Sequence, residues 1–541
     1  MAETAERLIR FSRLATPEAD RMLRESPSLL DRVVSALESG VDLPLMIKPE
    51  DIERCGLDDN IIKRKEGSPP PARKEAIRLP ERKNEKVKPE DMAPISDSIS
   101  NLMKRRRETE LDTPGLKSGS RALAREFDAD LRIVRDPSSS MGSQGKIEDF
   151  RKLFLSRYRK LRSILLEQHG DLSPVENISD LRGSEEAARF VGIVDSARTT
   201  KNGHIMLELE DPTGRIKVLI SKNRRELQSI KVVEDEVIGV TGKFRSGSGR
   251  GGSIVFADSI LKVDVPSHHR RRISPDKGLL AAFTSDIHIG SRMFLEKEWK
   301  RMIRWFKGEE AASLKAEDGL RVKYLVVAGD LVDGIGIYPD QDRDLIHKDI
   351  TKQYEALAES LSLVPDHIEI ILIPGNHDAV RLAEPQPPLP EEFRELFTNP
   401  GIHFLSNPTT FDISGVRVAA YHGKSIDDMV TLFKDVTYER PIQGMKEMLR
   451  SRHFGPTYGM RNQLAPEEDD MLVIEDVPDI FVSGHVHRFE MDTYKGIQLI
   501  EGSTWQSQTP FQKMMNLKPQ PAKMGVVELS LPNTMYAWEI T

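Results

Sequence analysis

Five short apolar runs, Leu279 to Phe283, Tyr324 to Ala328, Ile368 to Ile373, Val416 to Tyr421 and Ile480 to Val482, each lead into a polar cluster of metal-ligand type. The clusters are, in order, Asp286-Ile287-His288, Gly329-Asp330-Leu331-Val332-Asp333, Gly375-Asn376-His377-Asp378, His422-Gly423 and Gly484-His485-Val486-His487. Runs of this length without polar alternation are strands buried on both faces, as in α/β sheets. Ligands at the ends of such strands converge where α/β proteins gather their sites. A single histidine at a strand end more often hydrogen-bonds within a core than binds anything. The ordered set of five clusters reverses that preference, because only a shared site asks for all of them.

The residue types narrow the chemistry. Two cations held close together repel, so a shared carboxylate has to bridge them and hard oxygen ligands have to offset their charge. Asp330 is the candidate for that bridge. Mixed imidazole and carboxylate donors suit Mn, Fe or Zn better than an all-oxygen calcium cage, and Mg is a further candidate. Alternate residues of an extended chain project to one side, so both members of the D-x-H and H-x-H pairs can face one cavity. Glycines 329, 375 and 484 permit sharp turns and close backbone approach.

The rest of the 541-residue chain is long enough for several domains. Residues 1–60 read as a small helical module, with Ser26 and Pro27 starting a helix that carries Leu29, Leu30, Val33, Val34 and Leu37. Its expected role is docking or packing. Residues 61–143 turn to Pro, Lys, Arg, Glu and Ser, the composition of a charged, disordered linker whose Lys104 to Arg107 run is solvated. An amphipathic helix and connector follow over 144–187. Phe150, Phe154, Tyr158, Leu161 and Leu165 form its stripe, which packs on a neighbouring domain. Residues 188–265 hold roughly five short strands, with a hairpin at Pro212, Thr213 and Gly214, as in a small closed barrel of OB type. Only Phe190, Phe244 and Phe256 are aromatic there, which favours a structural or interface role over base stacking. The metal clusters fall in a final domain over 278–541.

Net charge −7 and a pI near 6.1 argue against a chain that grips nucleic acid alone through an overall basic field. No stretch approaches the roughly 20 apolar residues of a membrane span, and the start MAETAERLIR lacks the basic and apolar regions of a secretory signal. The lone Cys55 rules out an internal disulfide. These features set the expectation of a cytoplasmic protein with no membrane partner.

The ordered clusters resemble the calcineurin-like metallophosphoesterase superfamily, whose pattern is D-x-H, G-D-x-x-D, G-N-H-D/E, H and G-H-x-H. The resemblance implies a four-layered α/β/β/α domain with the OB barrel packed on it. One metal would be held by Asp286, His288, Asp330 and His487, and the other by Asp330, Asn376, His422 and His485. It also implies that water activated between the metals attacks phosphorus in line, that His377 protonates the leaving alkoxide, that Asp378 orients His377 and that Asp333 supports the ligands from behind. Ser/Thr phosphatases of this superfamily carry an arginine directly after G-D-x-x-D. Gly334 stands there in this chain, which lowers the phosphatase reading.

The domain order and the tail GSTWQSQTPFQKMMNLKPQPAKMGVVELSL further resemble the small subunits of archaeal family D replicative DNA polymerases. That likeness runs from about Lys146 to the C-terminus and is most specific from Gly502 to Ala522. It implies a proofreading 3'-5' exonuclease that uses Mn2+ or a similar ion. The implied partners are a large catalytic subunit, single-stranded and primer-template DNA, and a sliding clamp as a further candidate. Two other readings are an assembly subunit with little activity of its own and a free-standing phosphatase or repair nuclease. The last leaves the tail unexplained.

Overall fold

The computed structural model describes residues 122–183, 187–246 and 252–540, together with the two-residue strands Leu14–Ala15 and Met46–Ile47. The chain divides into two compact units, Met1–Gly115 and Leu116–Thr541. In the first, Leu14–Ala15 and Met46–Ile47 pair in parallel. The helical module expected over 1–60 and most of the linker otherwise lie outside the described residues.

The second unit holds two six-stranded sheets and a closed barrel. In the first sheet Ile402–Phe404, Glu369–Ile373, Val322–Ala328 and Leu280–Thr284 run parallel in that spatial order. Lys523–Glu528 and Met535–Glu539 are added antiparallel at the edge. The second sheet follows the order Phe489–Tyr494, Ile497–Gly502, Ile480–Ser483, Val416–Ala420, Thr409–Ile413 and Leu131–Arg135.

Each central strand is apolar on both sides because each side meets a different core. Ala281, Phe283, Val326 and Ile371 of the first sheet share one cluster with Val418, Val482 and Ile500 of the second. The alternate residues Ala282, Leu325 and Leu372 turn outward onto Trp299 and Ile303 of the helix Glu296–Phe306 and Leu357 of the helix Ile350–Leu361. On the far side, Phe481 and Leu499 pack against Met429, Met445 and Met448, from the helices Ile426–Leu432 and Pro441–Ser451. With roughly 25 cal/mol per Å² of apolar area removed from water, these three cores fix the strand ends firmly.

The barrel closes in the order Ala187–Thr199, Ile205–Asp211, Gly214–Ile220, Ile254–Lys262 and Val237–Arg245, five strands as the patterning predicts. Its second hairpin turns at the expected place, with the Asp211 side chain accepting from the backbone N–H of Thr213 and Gly214. The long helix spans Ile147–Gln168. Its Tyr158, Leu161 and Leu165 pack on Val191, Ile193 and Val237 of the barrel. Among the described residues no helix is long and apolar enough to cross a membrane.

One boundary differs from the sequence reading. The linker expected to run to residue 143 gives way earlier to the strand Leu131–Arg135, which pairs antiparallel with Thr409–Ile413. A strand flanked by charged residues reads as linker in isolation. It is held by long-range partners, among them the ion pair of Arg132 with Asp412 and the Tyr324 hydroxyl, which accepts from the Asp130 N–H.

Candidate metal centre

Every predicted ligand sits just past the end of a strand: Asp286 and His288 after Leu280–Thr284, Asp330 after Val322–Ala328, Asn376 after Glu369–Ile373, His422 after Val416–Ala420, and His485 and His487 after Ile480–Ser483. The turns are not extended. Asp286, His288, Asp330, His485 and His487 all have positive φ, between 51° and 76°. The paired ligands therefore face one hollow through left-handed turns, not through the alternation of an extended chain. Each such residue costs of order 1–3 kcal/mol and persists only where its surroundings impose it. Cross-bonds between the turns do so here. The Asp286 N–H donates to the Gly329 carbonyl (2.9 Å), the His288 N–H to the Asp330 carbonyl (3.1 Å) and the His485 N–H to the Asp286 carboxylate (2.9 Å). Gly375 is required by space, because a Cβ there would lie 2.2 Å from Asp330 Oδ1.

The side chains gather in two groups that meet at Asp330. In the first, Asp286, His288 and His487 converge, with His487 Nε2 3.3 Å from Asp286 Oδ1 and 3.0 Å from His288 Nε2. In the second, Asp330, His422 and His485 converge, and Asn376 Oδ1 lies 3.1 Å from His422 Nε2. Asp330 turns Oδ2 toward His288 (3.8 Å) and Oδ1 toward His422 (3.4 Å), so its two oxygens face different groups.

The outer nitrogens are committed elsewhere, which decides what the inner ones can do. His422 Nδ1 donates to the Ala328 carbonyl (2.9 Å) and His377 Nδ1 to the Asp333 carbonyl (2.8 Å), leaving Nε2 of both for the centre. His288 Nδ1 lies 3.1 Å from Asp333 Oδ1. His485 is reversed: its Nε2 meets Asp427 Oδ2 at 3.2 Å, so Nδ1 is the atom left for a cation.

Asp378 does something other than expected, because its carboxylate is turned to the backbone and not to the His377 ring. It accepts from the backbone N–H of Gly375 (2.8 Å) and Leu331 (3.1 Å) and from the Tyr354 hydroxyl (3.0 Å), so it ties the turn that carries Asp330 to the turn that carries Asn376 and His377. Burial, with the Asp330 charge adding to it, pushes this carboxyl up to about 7. The group that orients the His377 ring is the Asp333 carbonyl.

Two residues that sequence reasoning passed over back the second group. Asp427, anchored by Lys424 and the Tyr438 hydroxyl, fixes His485. Nothing marks it in sequence, since an acidic residue at a helix start reads as a cap. Glu384 is buried and accepts from the Tyr421 hydroxyl (2.8 Å) and the Asn462 amide (2.7 Å). Burial pushes it up to about 7 against those two bonds.

Burial opposes every charge in this hollow, and pairing prevails over it at Asp286, Asp330, His288 and His422. The Asp286 and Asp330 carboxyls are held below the usual range by the surrounding imidazoles. In return His288 is pushed up to about 10 by Asp286, Asp333 and Asp330, and His422 to about 9 by Asp330. Both histidines therefore keep a proton at neutral pH while no metal is bound, and a cation must displace it. Metal loading at pH 7 to 8 is expected to release at least one proton, with affinity rising as the pH climbs toward 9. Titration calorimetry in buffers of different ionisation heat reads this directly. Loading without proton release would contradict the assignment of these two ligands.

Residues 282–490, which include every predicted ligand, match the family model that describes the B-type subunit of DNA polymerases alpha and epsilon. Among curated proteins, the chain is 41% identical to the DNA polymerase II small subunit of Methanothermobacter thermautotrophicus over 77% of its own length and 86% of that protein. It is 41% identical to the Archaeoglobus fulgidus protein of the same name, over 73% and 78% respectively. The Methanocaldococcus jannaschii counterpart is 38% identical over 75% and 68%.

Proposed function

Because the chain belongs to the family of archaeal DNA polymerase II small subunits, we propose that it acts in DNA replication beside a large catalytic subunit as a two-metal 3'-5' exonuclease that removes mismatched 3' nucleotides. The observation that carries the nuclease reading is the split of Asp330 between two ligand groups. The helix, sheet, sheet, helix succession of the three cores supports the metallophosphoesterase reading of residues 278–541, whose second sheet is completed by the strand Leu131–Arg135.

The residues suit cations. Asp286 Oδ1 is buried without a hydrogen-bond partner and faces the same hollow as the inner nitrogens of His288 and His487. Asp286, His288, Asp330 and His487 would hold one cation, and Asp330, Asn376, His422 and His485 the other. Imidazole with carboxylate favours Mn2+, with Fe, Zn and Mg as alternatives. Cations bound there would supply the charge that offsets the growing negative charge on phosphorus and would ease deprotonation of the attacking water.

The chain's own groups do the rest. His377 Nε2 points into the hollow 3.8 Å from Asp330 Oδ2, while the Asp333 carbonyl fixes the ring. Burial lowers its proton affinity. An anionic phosphodiester drawing near restores the proton, and Nε2 then passes it to the leaving 3' oxygen. Gln341 and Gln506 hold the Asp333 carboxylate (3.2 and 2.8 Å), keeping it aimed at His288.

The test uses the full chain, alone and with the large subunit, on a 5'-labelled single-stranded oligonucleotide with Mn2+ supplied. A ladder shortening from the 3' end that stops on chelation, and in His377→Ala slows by on the order of 10²–10⁴, is the outcome expected. A strand left intact by both preparations ends the nuclease reading and leaves an assembly role.

A further inference from the structure

The segment after the last ligand wraps the first metal group. The Thr504 hydroxyl and the Trp505 N–H both donate to the Asp286 carbonyl (2.9 Å each), the Gln506 amide donates to Asp333 (2.8 Å), and the Gln512 amide meets His487 Nδ1 at 2.8 Å. The neighbour of that last contact, Phe511, stacks on Tyr338, with ring centroids 5.3 Å apart and planes inclined by 23°. Tyr338 belongs to the loop that follows Asp333. That loop is hooked back by Gln341, which accepts from the Ile337 N–H and donates to the Asp333 carbonyl. The stacked pair thus joins the His487 side of the centre to the His377 side.

The pair is not a closed core contact. Phe511 is 37% exposed in the short helix Pro510–Met514, and Met514 at its end and Met515 just past it, one turn later, are 73% and 55% exposed. Exposed apolar side chains in sequence beside a charged, buried centre are unusual in a solvated surface. What such a surface accepts next to a phosphodiester site is a flat, weakly polar ring. Every nucleobase offers one, and only an unpaired base can leave its own stack to occupy it. A duplex end keeps its bases stacked and paired, and a phosphomonoester without a ring gains nothing here.

We propose that Tyr338 and Phe511 form the platform on which the base of the unpaired 3' nucleotide stacks. This rests on the phosphodiesterase reading given above and adds to it the feature that selects the substrate. Tyr338 and Phe511 are then specificity residues that touch the base, and Gln512 is a positioning residue that relates the platform to His487.

The experiment compares two single-stranded oligonucleotides, identical except that one ends in a natural 3' nucleotide and the other in an abasic tetrahydrofuran nucleotide. The full chain with Mn2+ is expected to favour the natural end in kcat/KM by on the order of tenfold. Phe511→Leu and Tyr338→Leu bring the ratio toward one with metal content unchanged, whereas Phe511→Trp keeps it. Equal loss on both substrates in the leucine variants, or an unaltered ratio, overturns the platform and makes the stack a mere prop for His487. Wild-type protein that cleaves both ends at one rate also overturns the platform while the nuclease reading stands. Protein that cleaves neither removes both.

Discussion

Asp330→Ala is expected to abolish strand cleavage, with a loss of at least on the order of a thousandfold, larger than the usual effect of deleting one preorganised group. Its two oxygens address different ligand groups, His288 on one side and His422 on the other. No neighbouring carboxylate can take both positions. Its Oδ1 also accepts from the His377 N–H at 2.8 Å, so the truncation loosens the general acid as well. Metal analysis should fall well below two ions per chain. Asp330→Asn separates charge from shape: it preserves the side-chain volume and should melt near the wild type while remaining inactive. Cleavage near the wild-type rate in either variant would mean that the centre does not work through a shared carboxylate.

The second large effect concerns stability and lies away from the metals. Arg157, on the long helix, and Asp470 are each 1% exposed and paired at 2.7 Å, and His453 Nε2 lies 3.0 Å from the same carboxylate oxygen. Arg157 also donates to the Pro456 carbonyl. Asp470→Ala strands a buried guanidinium, which costs about 3–5 kcal/mol, whereas replacing both partners with apolar residues of similar volume costs far less. Urea midpoints of Asp470→Ala, Arg157→Met and the double variant measure the difference. Additive losses would show that the pair is not coupled.

Acid should reveal the same cluster. Burial pushes His453 down to about 4, below its ordinary value of about 6.5. The unfolded chain therefore takes up this proton first, and stability falls as pH drops from about 6.5 to about 4. Burial would raise Asp470, but His453 and Arg157 hold its carboxyl below the usual range. Its contribution is complete above an unfolded pKa of about 3.9 and is lost as pH falls through the folded one. Melting curves of His453→Gln should be flatter over the upper window than those of the wild type.

The strands and ligand clusters are legible because they rest on local signals: an unbroken apolar run says that both faces are covered, and the polar residue that ends it says where the chain leaves the sheet. Asp427, Glu384 and the Arg157–Asp470 pair have no such signal. Each owes its importance to a partner brought near by folding, 58 residues away for Asp427 and His485 and 313 for Arg157 and Asp470. The role of Asp378 escapes the sequence for a related reason. Adjacency to His377 suggests a side-chain contact, but the turn aims the carboxylate at the backbone of the neighbouring loop. The left-handed ligand turns escape because five non-glycine residues in that region are locally unfavourable, and only cross-bonding from distant loops holds them there.

The strand Leu131–Arg135 enters the chain before the barrel yet completes the sheet that follows it. The barrel is thus an insertion into a single body whose first piece precedes it, and a fragment beginning at residue 144 or 278 would be amputated, not isolated. It would bare the backbone of Thr409–Ile413 along an open rim, an invitation to pair with other copies. Expression of the two-sheet body should start upstream of Ala122, whose neighbour Ala124 already sits in the core between the sheets.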